Sequence, residues 1–270
     1  FVPTDTDPEA SAVKAFMDGE QRCALYNANF SKLLAHPTIG PIMSRWRHEV
    51  RKIMGHARIY RTKVTSGATT SAPSGNFPLE RFSDPQCTPH CANYMGKWIE
   101  EYGIAVPWDQ FSSCSGSKTV IVPKTARIGR LVSPEPAINV FWQSAWGITL
   151  AQRLLGTGIN LSQAADKHRR LAKIGSMTGK ICTQDQSNAS GLIYTELVRY
   201  LLTAEWYEVL DACRSRNTTI GDTEHQLQCF TTMGNGFCFE LETIIFLGML
   251  RSLIPDHSNI HVFGDDMIYP

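Results

Sequence analysis

The feature that most constrains the fold is a stretch that is apolar nearly all round a helix. Residues 239–253, "FELETIIFLGMLRSL", follow a glycine-rich segment and carry apolar side chains on almost every face. Such a helix is stable only when other elements cover it on all sides. Its longest apolar run, residues 244–250, is too short to cross a bilayer. The sequence therefore predicts a buried central helix in a large core.

The composition is that of a folded globular protein. The chain has 270 residues, of which 43% are hydrophobic and 19% charged, enough for one large domain or two ordinary ones. The net charge is only +1, so any binding of nucleic acid must come from local basic patches. The chain does not open with a basic segment followed by an apolar stretch, so we expect no secretory signal. The first residue is Phe1, and the last lies four positions beyond Asp266, so we expect a fragment of a longer protein.

Helical and strand patterns alternate irregularly, without a βαβ repeat, and this predicts an α+β fold. A long loop covers residues 65–78, where small residues, Gly and Pro cluster. One predicted helix begins at Asp7-Pro8, and another runs from a cap at Ser162 to Lys173. The other predicted helices span residues 41–57, 138–155, 192–203, 205–213 and 239–253. The predicted strands are 119–123, 180–185, 260–263 and 267–269.

The eight cysteines show no paired framework, which is typical of a reducing compartment. Cys87, His90 and Cys91 have a spacing that could suggest zinc, but no second ligand pair lies at a suitable distance. Ordinary thiols are the preferred interpretation.

Two adjacent carboxylates, Asp265 and Asp266, follow Gly264 at the tip between two apolar strands. Gly and Asp also favour hairpin turns for backbone reasons alone, so a purely structural role stays open. Asp185 ends another apolar strand, eighty residues earlier. If the strands are neighbours, three carboxylates meet at one sheet edge, where adjacent like charges repel unless a cation lies between them. Mg²⁺ prefers such ligands, and a pair of ions would activate a hydroxyl and stabilise a leaving pyrophosphate.

Four segments in order resemble the motifs of one enzyme family. "MGNGFCFELETIIF" (233–246) and "FGDDMIYP" (263–270) resemble motifs B and C of the RNA-directed RNA polymerases of single-stranded RNA bacteriophages, the levivirus or Q-beta-like replicase beta subunits. "TQDQSNAS" (183–190) is similar to their motif A, and "VPKTARIGRLVSPEP" (122–136) to their basic motif F. The first 60 residues add little to the resemblance.

This resemblance implies a viral replicase catalytic subunit with a right-hand polymerase fold. Residues 1–179 would form the fingers and N-terminal region, and residues 180–270 a palm with an antiparallel sheet; no thumb would be present. Asp185 and Asp265 would bind two catalytic Mg²⁺ ions, with Mn²⁺ as an alternative, and Asp266 would support them. The reaction would be attack of an RNA 3′-hydroxyl on the α-phosphate of a nucleoside triphosphate.

Lys124, Arg127 and Arg130 recur every three residues after a predicted strand. The resemblance implies that they bind the nucleotide triphosphate, and arginine can grip phosphate with two hydrogen bonds. The alternative is an exposed basic hairpin that serves solubility. Glu135 could orient one of these bases by pairing with it.

Gly234, Asn235 and Gly236 are predicted to bind the nucleotide as well. The two glycines let the backbone approach a substrate, and the Asn235 amide can both donate to and accept from a ribose 2′-hydroxyl. The alternative is a plain glycine-rich cap of the following helix. The family usually has a second aspartate in motif A, associated with ribose selection, where this chain has Gly191. Either Asn188 or Ser190 substitutes for it, or Asn235 alone discriminates the sugar.

Two other functions stay open: another palm polymerase such as a reverse transcriptase, and a non-catalytic RNA-binding fragment. The sequence "FGDD" disfavours the first, since reverse transcriptases usually carry a Tyr-x pair before the two acids. The expected partners are an RNA template and product and ribonucleoside triphosphates, with no membrane. The resemblance alone implies host translation factors and a ribosomal protein as further partners, and the cytoplasm of a bacterial host cell as the location.

Overall fold

The computed structural model describes residues 7–72, 77–125 and 129–270. Helices and strands alternate irregularly, so the predicted α+β class is confirmed. The helices are α1 (Pro8–Ala35), α2 (Ile39–Met54), α3 (Pro89–Tyr102), α4 (Ala137–Gly156), α5 (Leu161–Thr178), α6 (Thr195–Leu201), α7 (Ala204–Cys213) and α8 (Cys238–Leu253), with short 3₁₀ helices at Pro78–Phe82 and Ser190–Leu192. The strands are β1 (Gln86–Cys87), β2 (Ser112–Ser113), β3 (Ser117–Pro123), β4 (Gly129–Val132), β5 (Cys182–Asp185), β6 (Asn217–Ile220), β7 (Thr223–Gln226), β8 (His261–Phe263) and β9 (Asp266–Tyr269).

The apolar helix α8 is buried at the centre of the core, as its sequence predicts. It packs most extensively against α2, and α4 and β8 also contact it. The approach of α2 is close at Gly248, where an added Cβ would lie 2.5 Å from Cγ2 of Val50. The indole Nε1 of Trp46 donates a 2.8 Å hydrogen bond to the backbone oxygen of Ile245. These contacts fix the depth of α8 in the core.

A cluster of tryptophans fills the core beside α4. Trp142 and Trp146 of α4 are fully buried, and Trp98 of α3 lies between them with ring centroids 5.1 and 5.8 Å away. Trp206 of α7 packs edge-on against Trp146 at 5.7 Å. Rings of this size bury large apolar areas and favour such tilted and edge-to-face arrangements. The cluster ties α3, α4 and α7 into one core.

The predicted start of the first helix is confirmed. The Asp7 carboxylate accepts hydrogen bonds from the backbone N–H groups of Glu9 and Ala10, and Pro8 occupies the first helical position. The predicted cap of α5 is wrong by two residues: the Asn160 side chain accepts from the Ser162 N–H, so Ser162 lies inside the helix. Asparagine is at least as good an N-cap as serine.

A four-stranded sheet joins the two halves of the sequence in the order β4-β3-β6-β7. Strands β3 and β6 are parallel, whereas β3–β4 and β6–β7 are antiparallel hairpins. The β6–β7 hairpin was not expected from the sequence, because its strands are polar. Since this sheet draws strands from both sides of residue 180, the division into 1–179 and 180–270 stays a prediction.

The second sheet is antiparallel and has the order β5-β9-β8. Its central strand, β9, pairs with β5 over four residue pairs and with β8 over three. This sheet carries the acidic residues singled out in the sequence. Among the described residues, no helix is long and apolar enough to cross a membrane.

Candidate active site

The β8–β9 hairpin turns through two residues, Gly264 and Asp265, because Phe263 and Asp266 form its closing pair. Gly264 has φ +62°, whereas Asp265 is not left-handed. A positive φ at the first central residue alone is the pattern of a type II′ turn, which favours glycine there. The predicted turn is confirmed, and it places Asp265 at the tip with Asp266 as the first residue of β9.

The sheet brings the three acids together. Strand β5 pairs with β9 so that Asp185 lies directly opposite Asp266 in the register. Burial, and after it the like charges of Asp265 and Asp185, raise the pKa of Asp266 above its usual range. Asp266 is therefore close enough to Asp265 and Asp185 for the charges of both to act on it. The predicted convergence of residues 185, 265 and 266 is confirmed, whereas their catalytic and metal-binding roles stay predictions.

A cavity of about 470 Å³ opens beside these acids. Asp185 and Asp265 line it together with Lys124 and Arg130, which flank the tip of the β3–β4 hairpin. Two of the three predicted phosphate-binding cations thus face the same space as the acids. Arg127, the third, lies outside the described residues.

A second cavity, of about 340 Å³, lies beside Asp185 and Asp266. Its walls include His168 and Arg169 of the basic helix α5. Burial lowers the pKa of His168, although the negative charge of Asp266 acts in the opposite direction. Asp185 therefore borders two cavities, each of which also presents positively charged or imidazole groups.

The residues present fit a hard divalent cation by the chemistry of their donors, since Asp185 lies opposite Asp266 and Asp265 lies in the adjoining turn. Within the described ranges, no three His, Cys, Asp or Glu side chains already stand in a ligating cluster. The carboxylates are thus neighbours that a cation would have to draw together.

Cys87 and Cys91 are free thiols, and burial raises the pKa of Cys91 well above its usual value.

Glu242, on the second turn of α8, is a further buried acid that the sequence did not assign to the site. It is 6% exposed, and its Oε1 has no hydrogen-bond partner among the described residues. Burial, and next the negative charge of Asp265, raise its pKa to about 7. Glu242 therefore lies within electrostatic reach of the β8–β9 turn, and its surroundings favour the neutral carboxyl group.

The loop of Gly234, Asn235 and Gly236 does not face the acids. Gly234 has φ +127°, and an added Cβ would lie 2.3 Å from the Ser133 oxygen, so glycine is required for packing. Asn235 is only 7% exposed, and its Oδ1 accepts a 3.0 Å hydrogen bond from the Phe237 N–H. This bond closes a local turn just before α8, whose N-cap is Phe237, and recognition of the nucleotide by this loop stays a prediction.

Gly236 borders a different cavity, of about 400 Å³, together with Arg61 and Lys63. Its N–H donates a 2.9 Å hydrogen bond to Oε1 of Gln143 on α4. Among the three loop residues, Gly236 is thus the one with an open cavity beside it.

Glu135 has another environment than the one expected from the sequence. Its carboxylate is buried and accepts a 2.5 Å hydrogen bond from the Ser215 hydroxyl, with Gln143 and Asn235 nearby. Burial raises its pKa to about 7 against the opposing effect of these hydrogen bonds. The described contacts of Glu135 therefore belong to the interior and not to the basic hairpin.

Asn188 is the residue at the acid cavity that has unusual backbone geometry. Among the described residues, it is the non-glycine residue with a left-handed φ, +55°, and it is exposed on the cavity wall beside Ser190 and Gly191. An added Cβ at Gly191 would lie 2.6 Å from Oδ1 of Asn188. The Asn188 side chain therefore occupies the space that a side chain at position 191 would need.

Comparison with known proteins identifies the family. A family model described as RNA replicase, beta-chain, matches residues 3–270. This chain belongs to the RNA replicase beta-chain family. It is 32% identical to the RNA-directed RNA polymerase subunit beta of Escherichia virus Qbeta over 98% of this chain and 47% of that protein. With the corresponding subunit of Enterobacteria phage SP it shares 30% identity over 98% of this chain and 49% of that protein.

Other members of the replicase family match a shorter part. The RNA-directed RNA polymerase beta chain of Escherichia phage MS2 is 35% identical over 68% of this chain and 33% of its own length. The chain thus spans about half the length of the Qbeta and SP subunits. Among solved structures, the insertion loop deletion mutant of the RNA-dependent RNA polymerase of a human picorbirnavirus aligns with 93% of this chain and 64% of its own, at 15% identity and a TM-score of 0.38.

Proposed function

We propose that this chain is the catalytic part of an RNA-directed RNA polymerase, a nucleotidyltransferase that adds ribonucleotides to an RNA 3′-hydroxyl on an RNA template. The observation that carries the proposal is the pairing of β5 with β9, which sets Asp185 opposite Asp266, the residue that follows Asp265 in the chain. Lys124 and Arg130 face the same cavity as two of these acids. Membership of the replicase family supports the same assignment.

In this proposal the chain adopts part of a right-hand polymerase fold. Residues 1–179 form the fingers and N-terminal region, and residues 180–270 form the palm, whose sheet is β5-β9-β8. The parallel contact of β3 with β6 then anchors the basic hairpin of the fingers to the palm.

Asp185 and Asp265 are the groups that would hold divalent cations, with Asp266 in support. Two Mg²⁺ ions, or Mn²⁺ in their place, would supply activation of the primer 3′-hydroxyl and charge stabilisation of the leaving pyrophosphate. The chain's own contribution is to hold these residues at neighbouring positions of one sheet, so that only their side chains have to move together when cations bind.

Lys124 and Arg130 neutralise the triphosphate in the same cavity. As the 3′-hydroxyl attacks the α-phosphate and the bond to pyrophosphate breaks, negative charge grows on the leaving group. Fixed cations beside it stabilise that charge more strongly in a partly closed cavity than in open water. The reaction requires positioning and electrostatic stabilisation, and no protein nucleophile.

Asn188 discriminates ribose from deoxyribose in this proposal. It lies on the wall of the cavity that Asp185 and Asp265 also line, whereas Asn235 is buried and its Oδ1 accepts from the Phe237 N–H just before α8. An amide can donate to and accept from a 2′-hydroxyl, the group that separates RNA from DNA. The strained backbone of Asn188 supports a functional role, because such strain concentrates at binding sites. We expect Asn188→Ala to lower the preference for ribonucleotides over deoxynucleotides.

The partners that follow are an RNA template and product and ribonucleoside triphosphates. Host translation factors and a ribosomal protein are implied by the family alone, and no described residue is matched to them. The cytoplasm of a bacterial host cell is the location in which such a polymerase would work.

The direct test is RNA-templated incorporation of labelled ribonucleotides, with Mg²⁺ or Mn²⁺ present. We expect Asp185→Asn and Asp265→Asn to abolish incorporation. Asp222→Asn, which changes an exposed acid in the turn of the β6–β7 hairpin, is the matched control and should leave it unchanged. Equal loss in all three variants, or a preference for deoxynucleotides, would overturn the proposal.

If the chain alone incorporates nothing, the same variants are compared in a version extended beyond Pro270. Activity that appears only in the extended version and requires Asp185 and Asp265 supports the proposal. Nucleotide-independent binding of RNA, unchanged in both aspartate variants, would instead favour the non-catalytic RNA-binding fragment.

A further inference from the structure

The backbone N–H of Gly264 lies outside the hydrogen-bond ladder of its hairpin. In the two-residue turn, Phe263 and Asp266 form the closing pair, and the N–H of the first turn residue points away from the partner strand. Here that group is buried. A buried N–H without a partner destabilises the fold, so the turn needs an acceptor from another element.

Thr243 of α8 supplies that acceptor. Its Oγ1 accepts a 3.0 Å hydrogen bond from the Gly264 N–H and donates a 2.7 Å hydrogen bond to the backbone oxygen of Phe239, four residues earlier in the helix. The bond to Phe239 uses the single hydroxyl hydrogen and aims the lone pairs away from the helix. Thr243 is fully buried, so water does not compete for the bond.

The same face of α8 contacts the turn at two more points. An added Cβ at Gly264 would lie 2.5 Å from Cε2 of Phe239, and the Phe239 ring packs edge-on against Phe263 at 4.8 Å. Glu242, between these two helix positions, lies within electrostatic reach of Asp265. One helix face therefore packs against Phe263 and Gly264 and lies within electrostatic reach of Asp265.

We propose that Thr243 is the positioning residue of the catalytic turn: its hydroxyl holds the Gly264 N–H, and thereby fixes the direction in which Asp265 and Asp266 leave the turn. Helix α8 begins directly after the Gly234–Gly236 loop, so the same helix links that loop to the acids. The proposal rests on the proposed function for its meaning in catalysis, but the hydrogen bond can be tested without any activity.

The first readout is hydrogen exchange at the Gly264 amide. The dipeptide Phe-Gly occurs once in the sequence, at Phe263-Gly264. A chain labelled with ¹³C at the Phe carbonyl and ¹⁵N at Gly therefore gives one carbonyl-filtered amide signal, which belongs to Gly264. Its exchange rate measures how often the turn leaves its acceptor.

Two variants of Thr243 separate the hydroxyl from the side-chain volume. Thr243→Val keeps the shape and removes the acceptor, and we expect Gly264 exchange to become at least about tenfold faster. Thr243→Ser keeps the hydroxyl, and exchange should stay within about threefold of the parent chain. If the valine variant does not fold, Thr243→Ala replaces it, because it removes the hydroxyl without adding bulk.

Thr149→Val is the matched control. Like Thr243, Thr149 is fully buried in a helix, and its hydroxyl bonds the backbone oxygen four residues earlier, that of Ala145. Unlike Thr243, it lies in α4, and its hydroxyl contacts the Arg58 oxygen and not the turn. This variant loses a buried hydroxyl and should leave Gly264 exchange unchanged. Equal Gly264 exchange in Thr243→Val and the parent chain would overturn the inference, whatever the chain catalyses.

The second readout is the affinity for Mn²⁺ alone, measured by electron paramagnetic resonance. We expect Thr243→Val to weaken binding about tenfold and Thr243→Ser to restore it, because the hydroxyl sets the geometry of the acids. Faster Gly264 exchange with unchanged Mn²⁺ affinity would overturn the positioning role. A parent chain that binds no Mn²⁺ would contradict the proposed function, and this outcome is separate from the exchange result.

Discussion

Glu242 gives the sharpest prediction of how this site responds to pH. Its carboxyl group is buried beside Asp265, and its pKa is raised from an ordinary value of 4.5 to about 7. The folded protein therefore holds the Glu242 proton more tightly than the unfolded chain does. Between pH 4.5 and about 7 the folded state binds more protons, so its stability must fall as the pH rises.

The size of the effect follows from the two pKa values. One pKa unit corresponds to about 1.36 kcal/mol. For a single group with these pKa values, the free energy of unfolding falls by about 2.5 kcal/mol between pH 5 and pH 8, and the loss levels off above the folded pKa. Glu242→Gln removes the titrating group and keeps the shape, so this part of the pH dependence disappears.

The assay is urea denaturation of both proteins at pH 5 and pH 8, followed by tryptophan fluorescence, with EDTA present to exclude cations. The compared quantity is the free energy of unfolding of Glu242→Gln minus that of the parent chain. We expect this difference to be about 2.5 kcal/mol larger at pH 8 than at pH 5. Glu135 and Glu240, whose pKa values are also raised to about 7, titrate in both proteins and cancel in the comparison.

The control is Glu100→Gln, which changes an exposed glutamate on α3. Its stability difference from the parent chain should be the same at both pH values. If the difference between Glu242→Gln and the parent chain does not change with pH, Glu242 is not held in its neutral form, and the electrostatic picture of the turn is wrong.

Two further predictions follow from close contacts and like charges. Gly248→Ala should destabilise the fold by about 1–3 kcal/mol, because the new methyl group would meet Val50 of α2. Gly96→Ala should instead stabilise α3 by up to about 1 kcal/mol, because nothing lies within 4 Å of the new methyl group. Thermal unfolding measures both variants, and equal effects would contradict the packing. Asp265→Asn should lower the pKa of Asp266, because one of the two neighbouring negative charges is removed. A ¹³C titration of the Asp266 carboxyl group without metal measures this pKa, and an unchanged value would mean that the two groups do not interact.

The elements that the sequence predicts well are those with a strong local signal. The apolar stripe of residues 41–57 corresponds to α2, and the all-round apolar stretch of residues 239–253 corresponds to the buried α8. The β8–β9 turn follows from Gly264, since glycine is the residue that a left-handed first turn position requires. In each of these cases a few adjacent residues carry the information.

The β6–β7 hairpin shows why other elements are missed. Its strands, Asn217–Ile220 and Thr223–Gln226, contain polar residues without a clear alternation. The pairing of β6 with β3, about a hundred residues away, stabilises the hairpin. Tertiary context of this kind overrides weak local preference.

The candidate site was predictable in part for the same reason. The acids stand out because charged residues end apolar strands, and their convergence needed only the pairing of β5 with β9. The orientation of Asn235 was not predictable, because it depends on a distant contact of Gly234 with the Ser133 oxygen. Thr243 gives no sequence signal at all, since a threonine inside an apolar helix is usually a packing residue.

The most direct test of the central claim is anomalous diffraction from a crystal of this chain soaked with Mn²⁺ and a ribonucleoside triphosphate. We predict an anomalous peak between Asp185 and Asp265, about 2–2.5 Å from an oxygen of each carboxylate, with the triphosphate directed toward Lys124. Mn²⁺ bound elsewhere, with these acids free of metal at saturating concentration, would contradict the claim that the β5–β9 pairing builds a cation site for nucleotide transfer.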